Sequence, residues 1–138
     1  MTKKYFLFLL ILFPLTFSCK KFVEEKKRDL LIESIVDGSW IVTRYLDVGS
    51  DVTTEFTGYE FSFTEDGKVI SNFDTMKTIG TWEGNISDYS ITSTFPVTSN
   101  PLGRLNGKWI VKESDFNFVR ATRTVNSNLY TLELTKKM

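Results

Sequence analysis

No histidine occurs among the 138 residues of this chain. That removes the side chain most often used as a general base and as a transition-metal ligand. Cysteine is nearly absent too, with Cys19 alone. The usual pairing of a nucleophile with an imidazole therefore cannot be built. Neither charge is in excess, with 17 basic and 17 acidic residues. A nucleic-acid surface needs a concentrated basic stripe, so the balance argues against that class of partner. Phosphate loops, dinucleotide fingerprints and metal-spaced clusters are missing as well. Glu24 and Glu25 fall in a charged stretch, and Glu113 and Asp115 fall at a turn, where solvated or capping roles are usual. The expectation is a binding protein with no catalytic residue, no metal and no cofactor.

A long hydrophobic run is also lacking. The longest, Tyr5 to Phe17, reads "YFLFLLILFPLTF", is broken by Pro14 and is too short to span a bilayer comfortably. Lys3 and Lys4 precede it, and Ser18 and Cys19 follow. A basic start, a short apolar stretch and a small residue form the pattern of a cleaved export signal. The stretch "LTFSC" resembles the lipobox of bacterial lipoproteins. The resemblance implies cleavage after Ser18 and lipid on Cys19, which would be the link to a membrane. The expected segments are a signal peptide over 1–18, a lipidated tether over 19–29 and a domain over 30–138. Cleavage removes two lysines and no acid, leaving the mature chain with a small negative excess. The tether, "KKFVEEKKRD" after Cys19, reads as a solvated charge run, with contact of Lys20 and Lys21 to anionic headgroups as the alternative. "RDLLIESIV" can form a short helix over 28–36, with Asp29 as its cap and Leu31, Ile32 and Ile35 on one face.

After Gly38 the pattern turns to alternation. Tyr59, Phe61 and Phe63 alternate with Glu60, Ser62 and Thr64. Tyr89, Ile91 and Phe95 share one face of their run, and Tyr130, Leu132 and Leu134 share one face of theirs. Period two with a polar face marks half-buried antiparallel strands. Strands are expected near 39–47, 59–65, 68–73, 77–84, 89–95, 107–113, 116–122 and 129–136. The links after the second, fourth and sixth are short, and "EDGK" carries a hairpin signal. Longer links follow the first, fifth and seventh. An up-and-down meander puts these at one end, so the expectation is all-β: an eight-stranded antiparallel barrel with one tight end, one loop-rich mouth and a short N-terminal helix. A β-sandwich is the alternative architecture.

All three tryptophans stand two residues after a glycine: Gly38-Ser39-Trp40, Gly80-Thr81-Trp82 and Gly107-Lys108-Trp109. The first of these, where a short helix meets the first strand, resembles the lipocalin G-x-W motif. Ser114-Asp115-Phe116, between the sixth and seventh strands, resembles that family's T-D-Y turn without the tyrosine hydroxyl. The family also has an arginine at the end of the last strand, covering the tryptophan. Here Lys136 or Lys137 stands in that region. The resemblance implies a lipocalin-like lipoprotein of the diderm cell envelope, anchored at the outer membrane, monomeric, with Trp40 across the closed barrel end. The meander puts Trp82, on the descending fourth strand, low and Trp109, at the start of the sixth, near the mouth, where Trp109 should tolerate change better than Trp40.

Two functional classes follow. In one, the barrel binds a small hydrophobic or amphipathic ligand. In the other, it is a protein-binding or inhibitory module acting through its long mouth loops. For the first, simple parity from Trp40 turns Val42, Arg44 and Leu46 inward, and Phe116, Phe118 and Arg120 share a face. The expected site is then an anionic head near Arg44 and Arg120, with the tail against Phe61, Phe63, Ile91, Trp109 and Leu132. The competing register puts either arginine in solvent or stacked on a tryptophan.

Overall fold

The computed structural model describes residues 17–138. The expected signal segment up to residue 16 lies outside them. One helix comes first, α1 (Phe17–Val36). It is longer than the reading of 28–36, so Asp29 lies in its interior and caps nothing. The apolar face behaves as expected: Leu31 and Ile35 are buried and Ile32 packs on the core.

Nine strands follow: β1 (Trp40–Asp47), β2 (Ser50–Asp51), β3 (Tyr59–Phe63), β4 (Lys68–Phe73), β5 (Met76–Asn85), β6 (Ser90–Thr94), β7 (Gly107–Ser114), β8 (Phe118–Val125) and β9 (Asn128–Lys136). Apart from the two-residue β2, which only doubles back on β1, the strands pair in sequence order, and β1 pairs with β9. The result is a closed eight-stranded antiparallel barrel, as the alternation implies. The seam is uneven. β1 pairs with β9 from Trp40 to Asp47, but with β3 only at Trp40↔Phe61.

The end that holds the short links after β3, β5 and β7 is the floor. At the opposite end lie the two long connections, 48–58 and 95–106, each with a short 3-10 turn (Thr53–Phe56 and Leu102–Leu105). The β8–β9 link is tighter than expected. Asn126 and Ser127 turn the chain in two residues, with φ of 50° and 65°. Asparagine tolerates that left-handed geometry, so the link is a hairpin turn rather than a loop.

Two facing assignments change. On β1 the register slips between Val42 and Arg44. The extra residue reverses the parity. Trp40, Val42 and Tyr45 point inward, whereas Thr43 and Arg44 are exposed. On β8 the small residues Val119 and Ala121 are the buried ones, opposite Leu134 and Leu132 of β9. Phe118 and Arg120 therefore face out, and Phe116 is exposed in the turn before the strand. Arg120 pairs with Glu113 at 2.8 Å and Glu133 at 2.9 Å, in a charged ladder across three strands of the outer wall.

The buried hydrophobic residues run from Leu31 to Leu134. Residues 20–138 thus contain every described strand and the whole described core.

The three glycines before tryptophans serve different needs. Gly38 has φ of +77° and makes the left-handed turn from α1 into β1. Gly107 has φ of +117°, and a Cβ there would sit 2.7 Å from Arg123 Nη1. Gly80 lets two strands approach: a Cβ would lie 2.5 Å from the Thr94 carbonyl oxygen and 3.0 Å from the Phe95 ring. Gly80→Ala should therefore force β5 from β6 and cost about 1–3 kcal/mol. Urea unfolding checks this, and an unchanged midpoint would show that the two strands can separate without loss.

Acid should act in one direction. Asp51, Asp66, Asp88 and Glu55 all titrate below the ordinary carboxylate range, through hydrogen bonds first from Thr53, Thr64, Lys108 and Arg104 respectively. A depressed folded value means the native state binds fewer protons than the unfolded chain. The stability is complete above the unfolded value, near about 4, and is lost as pH falls through the folded values. With no histidine to titrate, the urea midpoint should be flat from about pH 8 to 5 and fall below about 4. A midpoint that rises on acidification would contradict these contacts.

Candidate functional site

The floor is built on Trp40, which is fully buried. Its Nε1 donates to the Ile35 carbonyl at 2.9 Å, tying the barrel to the last turn of α1. Lys136 Nζ lies 5.3 Å from the centre of the Trp40 ring and donates to Asp37 at 3.1 Å. A cation, Lys136, thus covers the tryptophan from the last strand where the resemblance has an arginine. Lys137 pairs instead with Glu60. Trp82 also lies low, with Nε1 donating to the Thr64 carbonyl at 2.9 Å beside the β3–β4 hairpin. In the turn Ser114-Asp115-Phe116, the Asp115 carboxylate accepts from the Asn117 amide at 2.7 Å and Ser114 Oγ meets the Tyr89 hydroxyl at 2.6 Å. The exposed Phe116 ring takes no part in the floor.

Above the floor lies an interior cavity of about 40 Å³. Ile35, from the last turn of α1, and Leu105, from the second mouth loop, both line it. Five of the seven expected ligand contacts line it: Phe61, Phe63, Ile91, Trp109 and Leu132. Arg44 and Arg120 do not, because both side chains are on the outer wall. The sequence reading missed Val119 and Ala121, whose small side chains help leave the space. Ser93 is the one polar liner, and its hydroxyl is spent on the Leu105 carbonyl at 2.6 Å.

The mouth is closed rather than open. Its two long loops fold inward, burying Phe56, Leu102 and Leu105. Phe56 stacks on Tyr45 at 5.4 Å, and Tyr45 meets Trp109 edge-on at 5.8 Å. The Tyr45 hydroxyl donates to the Arg104 carbonyl at 2.9 Å, and burial raises its pKa. Arg104 then clasps one loop to the other. Its Nε donates to Glu55 at 2.7 Å, Nη2 to the same carboxylate at 3.1 Å, and Nη1 to Asp47. The bidentate Glu55 contact, ahead of Asp47, raises the Arg104 pKa and lowers that of Glu55. Asn106 stitches the second loop internally, accepting from the Phe95 amide at 2.6 Å and donating to the Val97 carbonyl at 3.1 Å.

The inward arginine of the barrel wall is Arg123, two residues beyond Ala121 on β8. Its guanidinium carbon lies 4.7 Å from the Trp109 ring centre and 5.2 Å from that of Tyr130. Nη1 donates to the Asn106 carbonyl and Nη2 to the Arg104 carbonyl at 3.3 Å. The spacing Val119, Ala121, Arg123 is period two, so the parity that buries Val119 and Ala121 also turns Arg123 inward. Arg104 carries no such mark, because it sits in a loop.

No family model matches the chain, and no curated protein matches it. The fold is similar to the crystal structure of a DUF4847 family protein from Bacteroides vulgatus ATCC 8482, with a TM-score of 0.57 and 14% sequence identity. The match covers 78% of this chain and 99% of that one. At that identity the likeness shows the barrel fold alone. Among the described residues no helix is long and apolar enough to cross a membrane, and no group of three or more acidic, histidine or cysteine residues could hold a metal ion.

Proposed function

We propose that this protein is a lipid-anchored, lipocalin-like binding protein of the diderm cell envelope that takes a small hydrophobic or amphipathic molecule into its barrel. The observation that carries this reading is the apolar cavity. Protein interiors pack to crystal density, with few voids larger than a water molecule. An unfilled space of about 40 Å³ costs on the order of 1 kcal/mol of stability. It is well below the roughly 300–1,000 Å³ of a drug-sized pocket, so the ligand is small or enters by displacing Leu105 and its neighbours. The G-x-W geometry at the floor, with Lys136 over Trp40, supports the lipocalin-like assignment. Cys19 supports the anchor: at 1.5 Å per residue it stands roughly 24 Å along α1 from Ile35, a rigid spacer between lipid and barrel. On this reading the protein is a monomer that acts by binding, not catalysis, with its lipid at the outer membrane.

A second reading has its own support. Three hairpin tips at the mouth end expose apolar side chains: Val48, the pair Phe73 and Met76, and the pair Val125 and Leu129. Those tips, more than the inward-folded loops, would carry a protein-binding or inhibitory role.

The anchor is tested by labelled palmitate, which should enter the wild type and not Cys19→Ser. Equal labelling would remove the lipoprotein reading. The cavity is tested with Ala121→Leu, which should fill it and abolish binding of octanol by residues 20–138. Equal octanol binding by the variant would place the ligand elsewhere.

A further inference from the structure

We propose that Arg123 is the anion-binding group of this barrel, and that its ligand is an amphipathic carboxylate whose head replaces the mouth-loop carbonyls on the guanidinium and whose tail enters the cavity. The proposal rests on the cavity being a ligand site and names the chemistry of that ligand.

Four observations converge on Arg123. First, it faces inward at the mouth, on the same side of β8 as the cavity-lining Val119 and Ala121. Second, its charge has no carboxylate. Arg104 and Arg120 each hold two acids, but among the described residues Arg123 forms no ion pair. A guanidinium cannot shed its proton, so the charge persists in a half-buried site. Third, its hydrogen bonds are incomplete. Nε is buried with no partner, and the two bonds it makes go to neutral backbone carbonyls. Fourth, Trp109 joins it to the cavity. One ring packs against the guanidinium and also lines the space below.

The head-group class follows from charge and shape. A single guanidinium offers a planar fork of N–H donors, which fits one carboxylate in bidentate geometry and balances one negative charge. The tail class follows from the cavity lining, which is apolar except for Ser93. Access follows from the loop. The carbonyls that now occupy Arg123 belong to Arg104 and Asn106, in the same segment as Leu105, which lines the cavity from the second mouth loop. Asn106 ties that segment to Phe95 and Val97, so it moves as a piece. An anion that takes Arg123 therefore loosens that part of the cavity lining in the same step. The Arg104–Glu55 pair opposes that step by clasping the segment to the other loop.

The test titrates residues 20–138 with octanoate and with octanol, following the Trp109 indole N–H signal by NMR. That N–H donates to the Leu105 carbonyl at 3.0 Å and so reports on the segment. Octanoate should bind at least about tenfold more tightly than octanol, the effect of one charged hydrogen-bonding partner. Arg123→Met should erase the preference and keep octanol binding. Should that variant fail to fold, ionic strength supplies the same information: salt should weaken octanoate and leave octanol unchanged. Glu55→Gln should tighten both ligands by releasing the clasp. Equal affinities for octanoate and octanol would overturn the anion site and leave the cavity reading standing. Binding of neither would remove both. Octanoate binding indifferent to Arg123→Met and to salt would also overturn the proposal, and unchanged affinities in Glu55→Gln would overturn the coupled movement of the loop.

Discussion

Trp40→Ala should destabilise the domain by about 3–5 kcal/mol, the range for removing a large aromatic side chain from a packed core. The substitution has three consequences at once. It empties the largest fully buried side chain in the barrel. It leaves the Ile35 carbonyl without the indole donor that joins α1 to the floor. It also strips Lys136 of the ring beneath its ammonium group. Trp40→Phe keeps an aromatic ring and loses the indole N–H, so it should cost less. Urea unfolding of residues 20–138 gives both values. A cost for Trp40→Ala below about 1 kcal/mol would be a surface-like effect and would contradict a plugged floor.

Trp109→Ala should be about as costly, again about 3–5 kcal/mol. Its strand position near the mouth suggests a milder site, but only 3% of the residue is exposed. The closed loops explain the difference. Trp109 supports the Leu105 carbonyl through Nε1, packs against Tyr45 and carries the Arg123 guanidinium on its face. Its loss should therefore also remove much of the effect of Arg123→Met in the double variant, because the two side chains are in contact. If Trp109→Ala costs far less than Trp40→Ala, the mouth segment is not packed down in solution and the expectation from strand position is the better one.

Both predictions depend on which parts of the fold could be read from residue pattern. The alternation of β3 and β9 is unbroken, so their inward faces, Phe61 with Phe63 and Leu132 with Leu134, are plain in the sequence. The floor is plain too, because Gly38 and Trp40 stand at a helix-to-strand turn. β1 is not. A bulge adds one residue near Thr43, and nothing in "WIVTRYLD" marks it, so Arg44 leaves the interior and Tyr45 enters it. β8 misleads for another reason. Its large aromatics, Phe116 and Phe118, lie outside, while the small Val119 and Ala121 lie within and line the cavity. The charges hold the missing clue: Arg120 stands opposite both Glu113 and Glu133, a pattern that belongs to a solvated wall. The closure of the mouth could not be read at all. It depends on Arg104 reaching Asp47 and Glu55, contacts 57 and 49 residues apart in sequence.

The central claim is that the apolar interior is a binding site and not merely an imperfectly packed core. Native mass spectrometry of the protein purified from its host tests it most directly. The wild type should carry a bound small molecule, and Ala121→Leu, which fills the space, should not. A bare polypeptide mass for the wild type, or the same adduct on both proteins, would contradict the claim.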